Sequence, residues 1–323
     1  MAWRLRLVPE KTGIDFFRVQ WVTFGASLFA MAASLVLIFT MGLNFGIDFR
    51  GGTTIRTEST SPVDVGAYRE VLSTLDLGDV SISEVFDPSF RDDQHVAMVR
   101  LSAREGEESV TPEVIAEVEA TLEKVDPSIE FPAVESVGPK VSQELITSAL
   151  WAVLAGTVGI LFYVWVRFEW QFAVGTVAAL VHDVLVTVGI FALFQIKFDL
   201  TIVAALLTIL GYSVNDTVVI FDRLRENLAK YKQMPLREMM NLTANETLSR
   251  TIMTASTTLI SLVVLLIFGG DVIRGFVFAM LVGVILGTYS TLYMAKNIVL
   301  MIGIDRSEKP KQTDKGEFAN VDA

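Results

Sequence analysis

Apolar positions in this chain gather into six blocks of about 20 residues, the length a helix needs to cross the hydrocarbon core of a bilayer. The blocks are Val19–Met41, Ser148–Val166, Phe172–Phe194, Leu200–Phe221, Thr251–Phe268 and Val272–Met301. The first is too long for the apolar core of a cleaved signal peptide, about 7–15 residues, so it reads as a retained span that also serves as the targeting signal. The last exceeds what a span needs and is expected to tilt or to run past the membrane surface. The pattern divides the chain into an N-terminal segment 1–18, a first span 19–41 and a polar insert 42–147. Spans two to six follow over 148–302, with a polar loop at about 222–250 between the fourth and fifth. A tail over 303–323 has no apolar periodicity and is expected to be disordered.

The insert changes period. Thr53–Glu58 is β-branched and alternating, and Val80–Phe86 and His95–Ser102 read as further strands. Pro62–Leu77 reads as a helix opened by Val63 and Asp64. A second helix, Thr111–Val125, carries Thr111 as N-cap and Pro112 at its first position, and Ile129–Val137 reads as a final strand. The order strand–helix–strand–strand–helix–strand is the split pattern of ferredoxin-like α+β domains. The expected fold is therefore a polytopic α-helical membrane protein of six transmembrane helices with one ferredoxin-like α+β domain between spans one and two.

Composition and charge then narrow the function. Mean hydropathy is +0.50, and the chain has no cysteine and only two histidines, His95 and His182. Disulfides and thiolate metal sites are excluded, and no carboxylate–histidine spacing suits a metal. No phosphate loop or nucleophile elbow appears, so no cofactor is expected and an enzyme reading has little support. The net charge of −11 is concentrated in the insert, where roughly 20 acidic residues face about 8 basic ones. A basic nucleic-acid footprint is absent. Elsewhere Lys and Arg collect in the N-terminus, at Arg167, over Arg223–Arg250 and in the tail, all on one side of a six-span chain. By the positive-inside rule that side is cytoplasmic, so both termini are expected inside and the acidic domain outside.

Ionisable residues within a span cost at least about 2.5–3.5 kcal/mol on insertion scales and are functional candidates by default. His182 and Asp183 fall near the middle of span three. As neighbours they stand about 100° apart on a helix, which opposes their sharing one face fully. Asp183 is either interhelical glue or part of an ion path. In span four, Gly211-Tyr212-Ser213-Val214-Asn215-Asp216-Thr217 interrupts the apolar run. Low dielectric penalises a charged carboxylate, so Asp216 suits a reversible proton carrier; the plainer alternative is a carboxyl satisfied by Asn215, Thr217 or a neighbouring span. Arg250 opens span five, either as an anchor that snorkels to the interface or as a charge partner of Asp216. The hydroxyl residues that follow it suit helix packing or a water-lined path.

Two junction segments flank the insert. Asn44-Phe45-Gly46-Ile47-Asp48-Phe49-Arg50-Gly51-Gly52 follows span one, and Ser136-Val137-Gly138-Pro139-Lys140-Val141-Ser142 precedes span two. Asp48, Gly51, Gly52, Gly138 and Pro139 suggest tight backbone geometry, or a hinge on which the outer domain moves.

Taken in order, these segments resemble the SecF family of bacterial protein-export subunits, within the RND superfamily of ion-driven transporters. The resemblance rests on Asn44–Phe49 with Gly51-Gly52, Ser136–Pro139, Arg167-Phe168-Glu169-Trp170, Ala179–Asp183, Gly211–Asp216, Phe221–Asn227, Arg250-Thr251 and Phe268-Gly269-Gly270. It covers about residues 14 to 303. It implies an inner-membrane subunit that works with SecD and the SecYEG channel, downstream of the SecA ATPase and with YajC as a further partner. Such a subunit uses the proton motive force to complete the export of unfolded preproteins. Asp216 is then the coupling carboxylate, Arg250 its partner, and Asn215, Asp183 and His182 supporting groups. Half of an RND-type small-molecule exporter and a non-conducting scaffold for SecD are the competing readings, and the coupling ion, proton or sodium, stays open.

Overall fold

The structure, a computed structural model, describes residues 9, 12–75, 77–85, 90–91, 93–102 and 110–304. Arg4, Arg6 and Lys11, residue Phe86 at the end of the second expected strand, and the tail from 305 lie outside the described residues.

Among the described residues, six helices are long and apolar enough to span a membrane. The first, α1 (Gln20–Met41), leads through β1 (Asn44–Phe45) and a single turn, α2 (Ile47–Arg50), into the insert. The insert contains β2 (Gly52–Ser59), α3 (Val65–Leu72), β3 (Val80–Val85), β4 (His95–Leu101), α4 (Pro112–Val125) and β5 (Glu130–Val137). Then come α5 (Pro139–Arg167), α6 (Trp170–Phe194), β6 (Lys197–Phe198), α7 (Leu200–Lys230) and α8 (Leu236–Phe268). The sixth span comprises α9 (Asp271–Ser290), a π turn (Thr291–Ala295) and α10 (Lys296–Ile302).

The insert is a four-stranded sheet of order β3-β4-β2-β5 with every neighbouring pair antiparallel, and it has the expected strand–helix order. Its core joins Ile55, Ile82, Val99 and Leu101 of the sheet to Tyr68, Leu72, Val118 and Leu122 of α3 and α4. Full burial of an aliphatic side chain contributes roughly 1.5–3 kcal/mol, so these few residues carry most of the domain's cohesion. The first insert helix is shorter than the expected Pro62–Leu77. Asp64 caps it, accepting from the Ala67 N–H at 3.0 Å, and it ends by Ser73. Pro132 is tolerated because β5 is an edge strand with one side unpaired among the described residues.

Two boundaries differ from the hydropathy reading. Span two begins as helix at Pro139, directly after β5, rather than at Ser148. The polar stretch 222–250 is almost wholly helical: α7 continues to Lys230, α8 starts at Leu236, and only 231–235 turns. Charges end an apolar block without ending a helix. Arg223 bonds Glu226 at 2.6 Å along α7 and Glu246 of α8 at 2.8 Å, while Asn227 donates to Thr243 at 3.0 Å, so the extensions hold each other.

The membrane helices share two apolar cores. One gathers Phe49, Phe191, Phe198, Ile202 and Val277 near the α+β domain. The other gathers Phe16, Phe17, Phe168, Phe172, Phe221 and Met239 at the opposite end. Helices α7 and α9 pack against each other. A Cβ on Gly283 would come within 2.3 Å of the Ile209 side chain, so glycine sets their spacing.

Gly51 (φ 74°) and Gly52 (φ 116°) both adopt backbone that side chains disfavour, and a Cβ on Gly52 would lie 2.4 Å from the Leu101 carbonyl oxygen. Gly52→Ala is therefore expected to destabilise the α+β domain by about 1–3 kcal/mol. Limited proteolysis of the full chain in detergent would read this as faster cleavage in the insert. Wild-type resistance would refute it.

Candidate functional site

Along α6 and α9 the buried polar residues fall between the two apolar cores. Asp183 is completely buried on α6 and sits at the centre of a hydrogen-bonded knot. His182 Nδ1–H donates to its Oδ1 at 2.9 Å. The hydroxyls of Ser213 on α7 and Ser290 on α9 each donate to its Oδ2 at 2.8 Å. Neighbouring positions stand about 100° apart on a helix, and the His182 and Asp183 side chains reach each other across that angle. A second rung lies beside the knot, where Thr217 and Thr291 hydroxyls meet at 2.9 Å and Thr217 also donates to the Ser213 carbonyl at 3.1 Å. Thr291 opens the π turn, a local widening that often marks functional positions.

Asp216 lies one turn along α7 from Ser213. It is 5% exposed. Among the described residues no hydrogen bond or ion pair reaches its carboxyl. Arg250 on α8 is its neighbouring opposite charge, yet the two do not form a contact ion pair, and Arg250 is exposed. The direct pairing envisaged from the sequence is thus absent here, and the two interact across space. Asn215 points away from the core and is exposed, so it does not satisfy Asp216. The two intramembrane carboxyls therefore differ in kind: Asp183 has three donors from three side chains, and Asp216 has none.

The junction residues come together at the end of the bundle that carries the α+β domain. β1 pairs in parallel with β6, bringing Asn44 opposite Lys197 and Phe45 opposite Phe198. Asp48 Oδ2 accepts from the Leu200 N–H at 3.0 Å, capping α7. Gly138 is the N-cap of α5 with Pro139 at its first turn, where the missing N–H costs nothing. Ser142 Oγ donates to the Ile47 carbonyl at 3.3 Å, tying α5 to the same turn.

Sequence reasoning passed over Ser290 and Lys296. Ser290 is one hydroxyl in an apolar block and gives no signal until its partner is seen. Lys296 could have been found, since it is an ionisable residue inside the sixth block. It is 1% exposed, and its Nζ has no hydrogen bond but lies 4.5 Å and 4.3 Å from the ring centroids of Phe16 and Phe17. Those rings are held by a strap ahead of α1. Asn245 of α8 accepts from the Ile14 N–H at 2.9 Å and donates to the Ile14 carbonyl at 2.8 Å, and Asn241 accepts from the Phe16 N–H at 2.9 Å. No cluster of three or more metal-binding side chains occurs among the described residues.

Among the described residues, six helices long and apolar enough to span a membrane, a buried polar layer and a small α+β domain entering between spans one and two define a multi-pass membrane protein. Comparison with known proteins makes the class specific. The model for "Protein export membrane protein SecD/SecF, C-terminal" matches residues 117–305, and that for the "SecD/SecF GG Motif" matches residues 36–63. The chain belongs to the SecF subunits of the SecD/SecF protein-translocase family. It is 70% identical over 324 residues to the protein translocase subunit SecF of Cereibacter sphaeroides, covering 100% of both chains. To that of Rhodobacter capsulatus it is 64% identical, covering 99% of this chain and 98% of the relative. The crystal structure of Thermus thermophilus SecDF, described as a translocon-associated membrane protein, superposes with a TM-score of 0.82 at 34% identity. That match covers 92% of this chain but 39% of the longer SecDF chain.

The knot yields a stability prediction. Asp183→Ala removes the acceptor of three buried donors and is expected to cost roughly 1–3 kcal/mol, seen as a lowered thermal midpoint of the purified chain in detergent. Asn215→Ala, at an exposed position, should stay within about 0.5 kcal/mol of wild type. Equal midpoints for the two variants would refute the contrast.

Proposed function

We propose that this SecF chain is an ion-coupling half that works with SecD in the inner membrane. It uses the proton motive force to promote late translocation of unfolded preproteins through SecYEG after the SecA step, with YajC as an accessory neighbour. The distribution of Lys and Arg supports both termini and the 231–235 turn facing the cytoplasm, with the α+β domain outside. The observation that carries the coupling role is the unpartnered, buried carboxyl of Asp216 on a helix whose other buried carboxyl contact, Ser213–Asp183, is saturated.

A carboxyl with no fixed donor in low dielectric has a large difference in solvation between its charged and neutral forms, so binding a proton changes what its surroundings favour. A proton shifts a conformational equilibrium only by its differential affinity for the two states. In the charged form Asp216 attracts the Arg250 guanidinium and draws α7 toward α8. Neutralised, it loses that attraction, and α8 is free to move. The knot at Asp183 meanwhile holds α6, α7 and α9 as one body, so the motion is confined to the α7–α8 contact. One charge crossing about 100 mV supplies about 2.3 kcal/mol, enough to bias a packing equilibrium but not to unfold a domain. This restricts the substrate to unfolded chain.

The test is Asp216→Asn in inner-membrane vesicles that contain SecD and the channel. The gradient-stimulated part of preprotein export is expected to disappear while ATP-driven export and assembly persist. Full retention of the stimulated part would overturn the coupling role and favour the scaffold reading. Because Arg250 acts across space, Arg250→Lys is expected to keep most of the stimulated export and Arg250→Ala to lose it. A lysine variant as inactive as alanine would instead require direct guanidinium contact.

A further inference from the structure

The same Asn44–Gly52 segment that suggests a hinge on sequence grounds is built as a clamp. Its strand β1 pairs with β6, and the Gly46 N–H donates to the Phe198 carbonyl at 2.8 Å. The Asn44 side-chain amide donates to the Gln195 carbonyl at 2.9 Å, and the Gln195 amide returns a bond to the Gly42 carbonyl at 3.2 Å. Phe45 and Phe49 place their rings 6.0 Å and 6.1 Å from that of Phe198, which also lies 6.1 Å from Phe191. Asp48 contributes a charged contact. Its carboxylate takes the first N–H of α7, while Asp199 takes those of Thr201 at 3.1 Å and Ile202 at 3.3 Å. Two carboxylates thus satisfy three N–H groups that a helix start leaves open, with a favourable orientation in the helix dipole.

The clamp leaves no slack toward the domain. Only Gly51 separates α2 from β2, and β2 is bonded on both sides by β4 and β5. On the return path only Gly138 separates β5 from α5, and Ser142 ties α5 back to Ile47. A swivelling hinge needs unpaired backbone on which torsions change freely. Here the backbone is paired at β1, coiled at α2, and paired again from Gly52.

We propose that Asn44–Phe49 is a closed latch that makes the outer domain follow the outer end of α7, with Asp48 as the positioning residue that fixes one to the other. Helix α7 is continuous, so Leu200 lies about 24 Å along the same rod from Asp216. A tilt or slide of α7 therefore reaches β2 through the Asp48–Leu200 bond, the β1–β6 pairing and the phenylalanine cluster. The purpose of the latch rests on the coupling role proposed for Asp216; its rigidity does not.

Because the chain has no cysteine, thiols can be placed cleanly. Two variants of the full chain, assembled with SecD in vesicles, test the latch. In the first, Asn44→Cys with Lys197→Cys joins the paired residues of β1 and β6. Oxidation is expected to leave gradient-stimulated export unchanged, because a latch that stays shut in every state loses nothing when bonded shut. Loss on oxidation that is recovered on reduction would overturn the proposal in favour of a hinge. In the second, spin labels at Glu117→Cys in the domain and Phe194→Cys at the outer end of α6 report their distance distribution without a gradient. Asp48→Ala is expected to broaden it, and Asp48→Asn, which keeps an acceptor oxygen, to restore it. An unchanged width in the alanine variant would refute the role of Asp48. Should that variant fail to assemble, the crosslink decides alone. The distance widths do not depend on Asp216, so a silent Asp216→Asn would remove the coupling reading and leave the latch standing or falling on its own data.

Discussion

Within a hydrocarbon slab a polar group must find its partner inside the protein, and this constraint organises the helical part of the molecule. The Asp183 knot is its clearest consequence. One carboxylate binds donors from its own helix and from two others, so α6, α7 and α9 share a common polar centre. Apolar contacts alone could not fix their relative register, since lipid tails are as apolar as leucine and give helices little reason to prefer one another. Close approach at Gly283 and the bonded hydroxyls at Thr217 and Thr291 act in the same direction. The helices bound by this layer form a frame.

Against that frame Asp216 stands out by what it lacks. If its role were to join helices, the arrangement at Asp183 shows how such a role is built: serines at the facing positions of neighbouring helices. Asp216 has no such serines among the described residues. A buried carboxyl left without donors is costly in the charged form and cheaper in the neutral form, which is the property needed for reversible protonation. The exposed Arg250 on α8 supplies a field rather than a bond, and a field is easily weakened by a small displacement.

Much of this architecture was legible in the sequence because the bilayer simplifies the code. Six apolar blocks gave six spanning helices, and the alternation in the insert gave its strand order, with Thr111 and Pro112 starting α4 where their chemistry predicts. Hydropathy misplaced the starts of α5 and α8 because it reports where a chain is apolar, and a helix runs on past its apolar block when its polar turns find partners: Arg223 with Glu246 where α7 meets α8, Ser142 with the Ile47 carbonyl at the start of α5. The candidate site was legible in part. Asp183 and Asp216 declared themselves as intramembrane acids, but nothing in the chain distinguished the saturated one from the free one. That difference depends on Ser290, 107 positions away from Asp183, which no local pattern connects to it. Lys296 carried the same signal as the acids, and its cage of Phe16 and Phe17 shows why a cation could remain there: ring faces replace part of the hydration it loses.

The two ends of the bundle solve one mechanical problem with different chemistry. At the end where α1 begins, the strap before it is bound by Asn241 and Asn245 of α8, whose amides copy the donor and acceptor of a backbone strand. At the end that carries the α+β domain, real strand pairing and two helix-capping carboxylates bind the continuation of α1 to the start of α7. Span one is therefore fastened to α8 below and to α7 above, the two helices that carry Arg250 and Asp216. A relative movement of α7 and α8 cannot leave α1 and its attached domain indifferent, because each end of α1 reports on a different member of the pair. The paired glycines then have a definite place in the argument. Gly52 lets β2 begin against the Leu101 carbonyl with no intervening loop, and only a backbone free of Cβ fits there. A longer, looser connection would be easier to encode in many sequences. It would also absorb in torsion any small displacement of α7.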